Sequence, residues 1–226
     1  MIKLGKADSV FEVIGPIMIG PSSSHTAAAV RIGQITRNLM ENPVKRAVVK
    51  FHGSFASTGR GHGTDKAIAA GLLGFDPADE RIRDALDLAD KQGMDIVFEN
   101  VDLGDDYHPN TARLEVLDTL GNSIVVTASS LGGGTISVVE INGLKIELSG
   151  EYDTLITIHK DKPGIVAKAT AIIADYDVNI SSMKVTRMRR GGQALMAVEM
   201  DHALPNEAIE KLNIIADTVR VIPPIY

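Results

Sequence analysis

The chain has no cysteine and no tryptophan. Without thiols it can form no disulfide, no zinc–thiolate site and no cysteine nucleophile, and it cannot hold an iron–sulfur cluster through its own side chains. Aromatic residues are only 4% of the 226, so the core must be aliphatic, and the 44% hydrophobic content is enough to build one. Positive charge is not in excess either. The formal net charge is −6, which argues against nucleic acid as the main partner. No apolar run approaches the length of a membrane span. The stretch Val10–Gly20 is apolar but is broken by Glu12 and Pro16, so it is not read as a signal peptide, and a cytoplasmic location away from any membrane is expected.

What is present is concentrated at Gly20–Thr26, which reads Gly-Pro-Ser-Ser-Ser-His-Thr and runs directly into the apolar stretch Ala27, Ala28, Ala29, Val30, Ile32. The order places hydroxyls, an imidazole and unpaired backbone N–H groups at a helix N-terminus, where the positive dipole end attracts a carboxylate or phosphate. A plain serine N-cap is the competing reading.

Two further segments share this character. His52–Ala56 (His-Gly-Ser-Phe-Ala) runs on into Thr58–Asp65 (Thr-Gly-Arg-Gly-His-Gly-Thr-Asp), and His108–Thr111 reads His-Pro-Asn-Thr. Both are read as loops at element ends, where binding residues are usually carried. Gly59, Gly61 and Gly63 lie before a helix, but G-x-G-x-G is neither the dinucleotide fingerprint nor a phosphate-binding loop with its Lys-Ser/Thr tail. A tight glycine turn that lets a ligand approach the backbone is the more economical reading. His25, His62 and His108 are conceivable metal ligands, yet their separations match no short metal motif, so no metal site is expected within this chain.

The remaining pattern divides the chain. Residues 1–150 carry fourteen Lys/Arg against nineteen Asp/Glu, and residues 151–226 nine against ten. The seam is placed at Gly143–Tyr152, giving domains 1–148 and 152–226, with a hairpin turn at Asn142-Gly143. In the first domain a helix is expected from Ser22 or Ser24 to about Met40, a strand at Val44–Phe51, and helices at Thr64–Leu73 and Pro77–Gln92. Strands are expected at Met94–Val101, Thr111–Asp118, Ser123–Ala128, Thr135–Ile141 and Leu144–Leu148. The result is an α/β domain with a mixed sheet whose strand order the pattern leaves open. The second domain reads strand, helix, strand, strand, helix, strand. Thr154–Lys160 alternates with β-branched residues, and Asp161-Lys162-Pro163-Gly164 opens a helix with proline in its first turn. Ile165, Val166, Ala169, Ile172 and Ile173 form one apolar helical face. Strands at Val178–Val185 and Ala194–Met200 join through Gly191-Gly192. A helix with Ala208, Ile209, Leu212, Ile215 and Ala216 and a strand at Val219–Ile222 complete an α+β, ferredoxin-like βαββαβ unit.

Asp161-x-Pro-Gly164 after a strand, followed by Asn179-Ile180-Ser181 at the second strand, resembles an ACT domain, a small amino-acid-sensing module that usually works in pairs. The resemblance covers residues 152–226 and implies ligand-binding roles for Asp161, Gly164, Ile165, Asn179 and Ile180. Taken with Gly20–Thr26, His52–Asp65 and His108-Pro109-Asn110, the whole chain is similar to the beta subunits of bacterial iron–sulfur L-serine dehydratases. The first domain also resembles the "allosteric substrate-binding" domains of some phosphoglycerate dehydrogenases.

In that family an alpha subunit carries the cysteines that hold a [4Fe–4S] cluster. The cluster is the Lewis acid that takes the departing hydroxide, which accounts for the absence of thiols here. The resemblance implies a cysteine-containing alpha partner, L-serine as substrate, and pyruvate and ammonia as products. By ACT pairing it also implies a homodimer in isolation. It makes His62 the candidate base and His25 with Ser24 the groups that orient the substrate carboxylate. Ser22, Ser23, Thr26, Ser54, Gly61, Thr64, Asp65 and Asn110 are substrate-binding candidates, with Asp65 capping or orienting nearby. His52, His159 and His202 are left as surface or strand residues, and Arg187, Arg189 and Arg190 as a solvated hairpin end. Two other readings stay open: a non-catalytic amino-acid sensor that regulates another enzyme, and a metal-dependent hydrolase.

Overall fold

The computed structural model describes residues 15–225. The expectation that the chain's start is no leader falls largely outside them. A short π-helical turn at Ser23–Ala27 runs straight into α1 (Ala28–Asn38). There follow β1 (Val44–Phe51), α2 (Gly53–His62), α3 (Thr64–Leu73), a 3₁₀ turn (Glu80–Asp84), α4 (Ala85–Lys91) and β2 (Asp95–Asn100). Four consecutive strands come next: β3 (Thr111–Asp118), β4 (Ser123–Gly132), β5 (Thr135–Ile141) and β6 (Leu144–Leu148). The second unit comprises β7 (Asp153–Lys160), α5 (Ile165–Ala174), β8 (Ile180–Arg187), β9 (Gln193–Met200), α6 (Asn206–Asn213) and β10 (Thr218–Ile222).

The first sheet has six strands in the order β2-β1-β3-β4-β5-β6. Only β1 and β2 run parallel; the other neighbours are antiparallel. Strand alternation sends Ala47, Val49, Ala112, Leu114, Val126 and Ala128 to one face, where they are buried with Ile32, Ile35, Ile68 and Leu72 of α1 and α3. Small residues bring those two helices unusually close. A Cβ on Gly33 would meet the Ile68 carbonyl oxygen, and one on Gly71 would overlap the carbonyl oxygen of Val30. The opposite face bears a row of cross-strand partners, Lys50↔Arg113, Arg113↔Thr127, Thr127↔Glu140 and Glu140↔Lys145.

The second sheet has the order β10-β7-β9-β8, all antiparallel, with α5 and α6 packed over a core that includes Leu155, Ile173, Met196, Val198, Ala208 and Leu212. This is the expected βαββαβ arrangement. Residues 149–152 join the two units, and they are pinned. The Ser149 N–H and hydroxyl both donate to Glu199 Oε1 at 3.1 Å, while the Ser182 hydroxyl donates to Oε2 at 2.7 Å. Arg220 pairs with Glu41 at 2.8 Å across the same junction.

Several local expectations need correction. His52–Asp65 is not a loop, because Gly53–His62 forms a full helix, and its buried Phe55 and Gly59 pack it against the core despite the glycines. Of the three glycines read as a turn, only Gly63, at φ +71°, takes the left-handed conformation, and it separates α2 from α3. Pro163 lies outside α5, whose N-cap is Gly164 at φ +90°. The expected helix over residues 77–92 is a 3₁₀ turn followed by a short α-helix. Strand β4 runs on to Gly132, past the expected end at Ala128. His159 is a buried strand residue, 3% exposed.

Candidate active site

The site is built where two helix starts meet. Ser22 caps the π turn: its Oγ accepts the His25 backbone N–H at 3.3 Å and lies 3.4 Å from His25 Nδ1. A π turn is wider than an α turn and is a frequent mark of a functional site. Here it turns the His25 ring toward the first turn of α2, with Nε2 at 3.5 Å from Ser54 Oγ and 3.0 Å from Thr58 Oγ1. The Thr58 hydroxyl also contacts the Ser54 carbonyl oxygen at 2.8 Å. If its one proton goes there, its lone pairs accept from His25 Nε2–H, and the Ser22 hydroxyl donates to His25 Nδ1. Phe55 packs edge-on to His25 with the ring centres 5.2 Å apart.

His62 lies at the far end of α2, its ring centre 4.8 Å from that of His25. Its Nδ1 is 3.0 Å from the Thr58 carbonyl oxygen. A carbonyl can only accept, so Nδ1 carries the proton and the neutral ring keeps its lone pair on Nε2, as a proton acceptor requires. With the Thr58 proton on the Ser54 carbonyl, the two imidazoles have opposite tautomers, both set by Thr58. Burial, and next the charge that His62 would carry, hold His25 below the ordinary imidazole value, which favours its neutral form.

The other candidates divide. Ser22, Ser23, Ser24 and Ser54 are half-buried around this point. Thr26, Thr64 and Asn110 each keep a buried side-chain oxygen without a hydrogen-bond partner among the described residues. Gly20 leaves the room that Thr26 occupies, since a Cβ there would strike its side chain. Ser54 N–H donates to the Pro109 carbonyl at 2.7 Å, which ties the 108–110 segment to the start of α2. Gly61 is exposed with nothing near a would-be Cβ. Asp65 accepts the Lys66 N–H at 2.9 Å, at the first turn of α3.

His108 accepts the Asn110 N–H on Nδ1 and lines a cavity on the open face of the six-stranded sheet, so it does not join the His25–His62 pair. In the second unit Asp161 clamps the β8–β9 hairpin. Its Oδ2 accepts Arg187 at 2.6 Å and the Gly191 N–H at 2.9 Å, so Arg187 is not merely solvated. Asn179 donates to Asp201 at 2.9 Å. Gly164 and Ile165 stand at the start of α5, and Ile180 opens β8.

Thr58 was not among the sequence candidates, although Ser54, Thr58 and His62 recur every fourth residue, the spacing of one helical face. The glycines between them hid that signal.

The chain is thus a two-unit α/β protein with a histidine pair in its first unit and a ferredoxin-like second unit. A family model described as "Serine dehydratase beta chain" matches residues 9–140, and one described as "ACT domain" matches residues 154–217. The chain belongs to the serine dehydratase beta chain family. It is 42% identical over 216 residues, 96% of this chain and 97% of the other, to the "probable L-serine dehydratase, beta chain" of Bacillus subtilis (strain 168). It is 38% identical over 196 residues, 87% and 88% respectively, to the "L-serine dehydratase, beta chain" of Peptoniphilus asaccharolyticus. A D-3-phosphoglycerate dehydrogenase of Bacillus subtilis (strain 168) is 26% identical over 195 residues, 85% of this chain and 36% of that one. Among the described residues no helix is long and apolar enough to cross a membrane.

Proposed function

We propose that this chain is the beta subunit of an L-serine dehydratase, a lyase that converts L-serine to pyruvate and ammonia together with a cysteine-bearing alpha subunit. The observation that carries the reading is the His25–Thr58–His62 arrangement. It supplies one imidazole with a free Nε2 lone pair and one neutral imidazole held at the positive ends of two helices. The serine carboxylate sits at those helix starts, against Ser22–Ser24, Ser54 and His25. His62 Nε2 takes the Cα proton, and water is lost overall from Cα and Cβ. The aminoacrylate so formed tautomerises to an imine that water hydrolyses to pyruvate and ammonia. His25 stays neutral beside the new imidazolium and keeps its hydrogen bond to Thr58.

The [4Fe–4S] cluster finds no ligand set in this chain. It has no cysteine, and among the described residues no three His, Asp or Glu side chains gather as a metal group. The lack of cysteine supports an alpha-subunit location for the cluster, and no step above runs through it. The reading includes a homodimer in isolation; the edge strand β8, with Met183 and Val185 each 43% exposed, supports pairing there. The reading carries a cytoplasmic location with it.

The test is anaerobic reconstitution. Pyruvate release from L-serine should appear only when the alpha subunit is added. His62→Ala should abolish it and leave the cluster spectrum intact. Turnover by this chain alone in iron-free solution would overturn the assignment of the cluster, and near-normal turnover of His62→Ala would remove His62 as the base.

A further inference from the structure

The helix-free face of the six-stranded sheet carries a cavity of about 530 Å³ that no step of the reaction uses. Tyr107 and His108 bound it on one side, Glu140 and Lys145 lie along the sheet, and Lys184 of β8 reaches in from the second unit. The size is that of a small-molecule pocket, and such pockets favour junctions between units.

The polar groups at this cavity are of both signs. Glu140, 9% exposed, holds its carboxylate 3.4 Å from Arg113 and 3.4 Å from the Tyr107 hydroxyl. Both contacts are long, which leaves the oxygens capacity for a further donor. Lys145 is its cross-strand partner. Lys184 reaches Glu147 only at 3.9 Å, with both side chains well exposed. His108 accepts on Nδ1 from Asn110 N–H, so its neutral ring presents Nε2–H as a donor, and burial favours that neutral form. The rest of the lining is mixed, with Leu131, Val139 and Ile146 apolar and Asp106, Ser129 and Ser137 polar.

We propose that this cavity binds a free α-amino acid with an aliphatic side chain. Glu140 takes the ammonium group, Lys145, Lys184 and His108 Nε2–H take the carboxylate, and the side chain lies on Leu131, Val139 and Ile146. A carboxylate without an amine would leave the buried Glu140 unanswered, an amine without a carboxylate would leave the lysines so, and each would bind more weakly. The site does not depend on the dehydratase reading, because it shares no side chain with the His25–His62 pair.

Calorimetric titration of the full chain with L-leucine and L-valine tests this. Binding is expected with a Kd below about 1 mM. Isovalerate and isoamylamine, each lacking one charged group, should bind at least about tenfold more weakly. Lys145→Glu, which changes an exposed side chain, should lose at least about tenfold in affinity, and His62→Ala none. Val139→Trp, which fills the cavity, should abolish binding at an unchanged melting temperature. No binding by either amino acid, equal binding of isovalerate, or binding lost in His62→Ala and kept in Lys145→Glu would each overturn the proposal.

Discussion

Replacing Thr58 by valine removes one hydroxyl and leaves the backbone carbonyl in place, which separates the two contacts this residue makes. The hydroxyl meets His25 Nε2 at 3.0 Å, and the carbonyl meets His62 Nδ1 at 3.0 Å. Thr58→Val therefore frees His25 to rotate and leaves the tautomer of His62 fixed. A neutral side-chain hydrogen bond is worth about 1 kcal/mol net. Because Thr58 is exposed, the melting temperature should fall by no more than about 2–4 °C. If His25 orients the substrate carboxylate, the same loss falls on catalysis, and about 1 kcal/mol corresponds to about fivefold in kcat/KM. In the reconstituted enzyme, pyruvate release should show KM for L-serine raised about fivefold, with the pH profile of kcat unchanged. Thr58→Ser, which returns the hydroxyl, should restore KM. A Thr58→Val enzyme within about twofold of the parent would refute the positioning role. So would a displaced pH profile at an unchanged KM.

The pH dependence of stability has a definite sign. Burial lowers His25, His108 and His159 below the ordinary imidazole value of 6.5. The unfolded chain then binds protons before the folded one does, so full stability is present above about pH 6.5 and declines as the pH falls toward the lowered values. Thermal melts should drop between about pH 7 and 5.5, less so in His159→Gln, and a flat profile would contradict this. Gly71→Ala would drive a methyl group into the Val30 carbonyl oxygen at the α1–α3 crossing. It should cost about 2–3 kcal/mol or prevent folding, read by denaturant titration, and an unchanged midpoint would show that the helices can part.

Much of this fold could be read from alternation and punctuation. Strands such as Val44–Phe51 and Leu144–Leu148 carry their own period and their own turn residues, so their limits follow from local chemistry. The α2 helix could not be read this way. Gly59, Gly61 and Gly63 disfavour a helix locally, and burial of Phe55 in contact with the sheet overrides them. The candidate site was legible in the same uneven way. The serine-rich start showed its anion-binding character, but the meeting of His25 and His62 across 37 positions of the numbering depends on α2 being helical. Once it is helical, Ser54, Thr58 and His62 fall on one stripe. His108 had the same kind of neighbours in sequence, but the strand that follows it carries it to another cavity.

Glu199 gives the molecule a mechanical property. By gripping Ser149 and Ser182 together, it fastens the short joint between the sheets to the second of them. Three hydrogen bonds to one carboxylate leave that joint little freedom to swivel, so a load on the β8 edge reaches the end of β6 through Glu199.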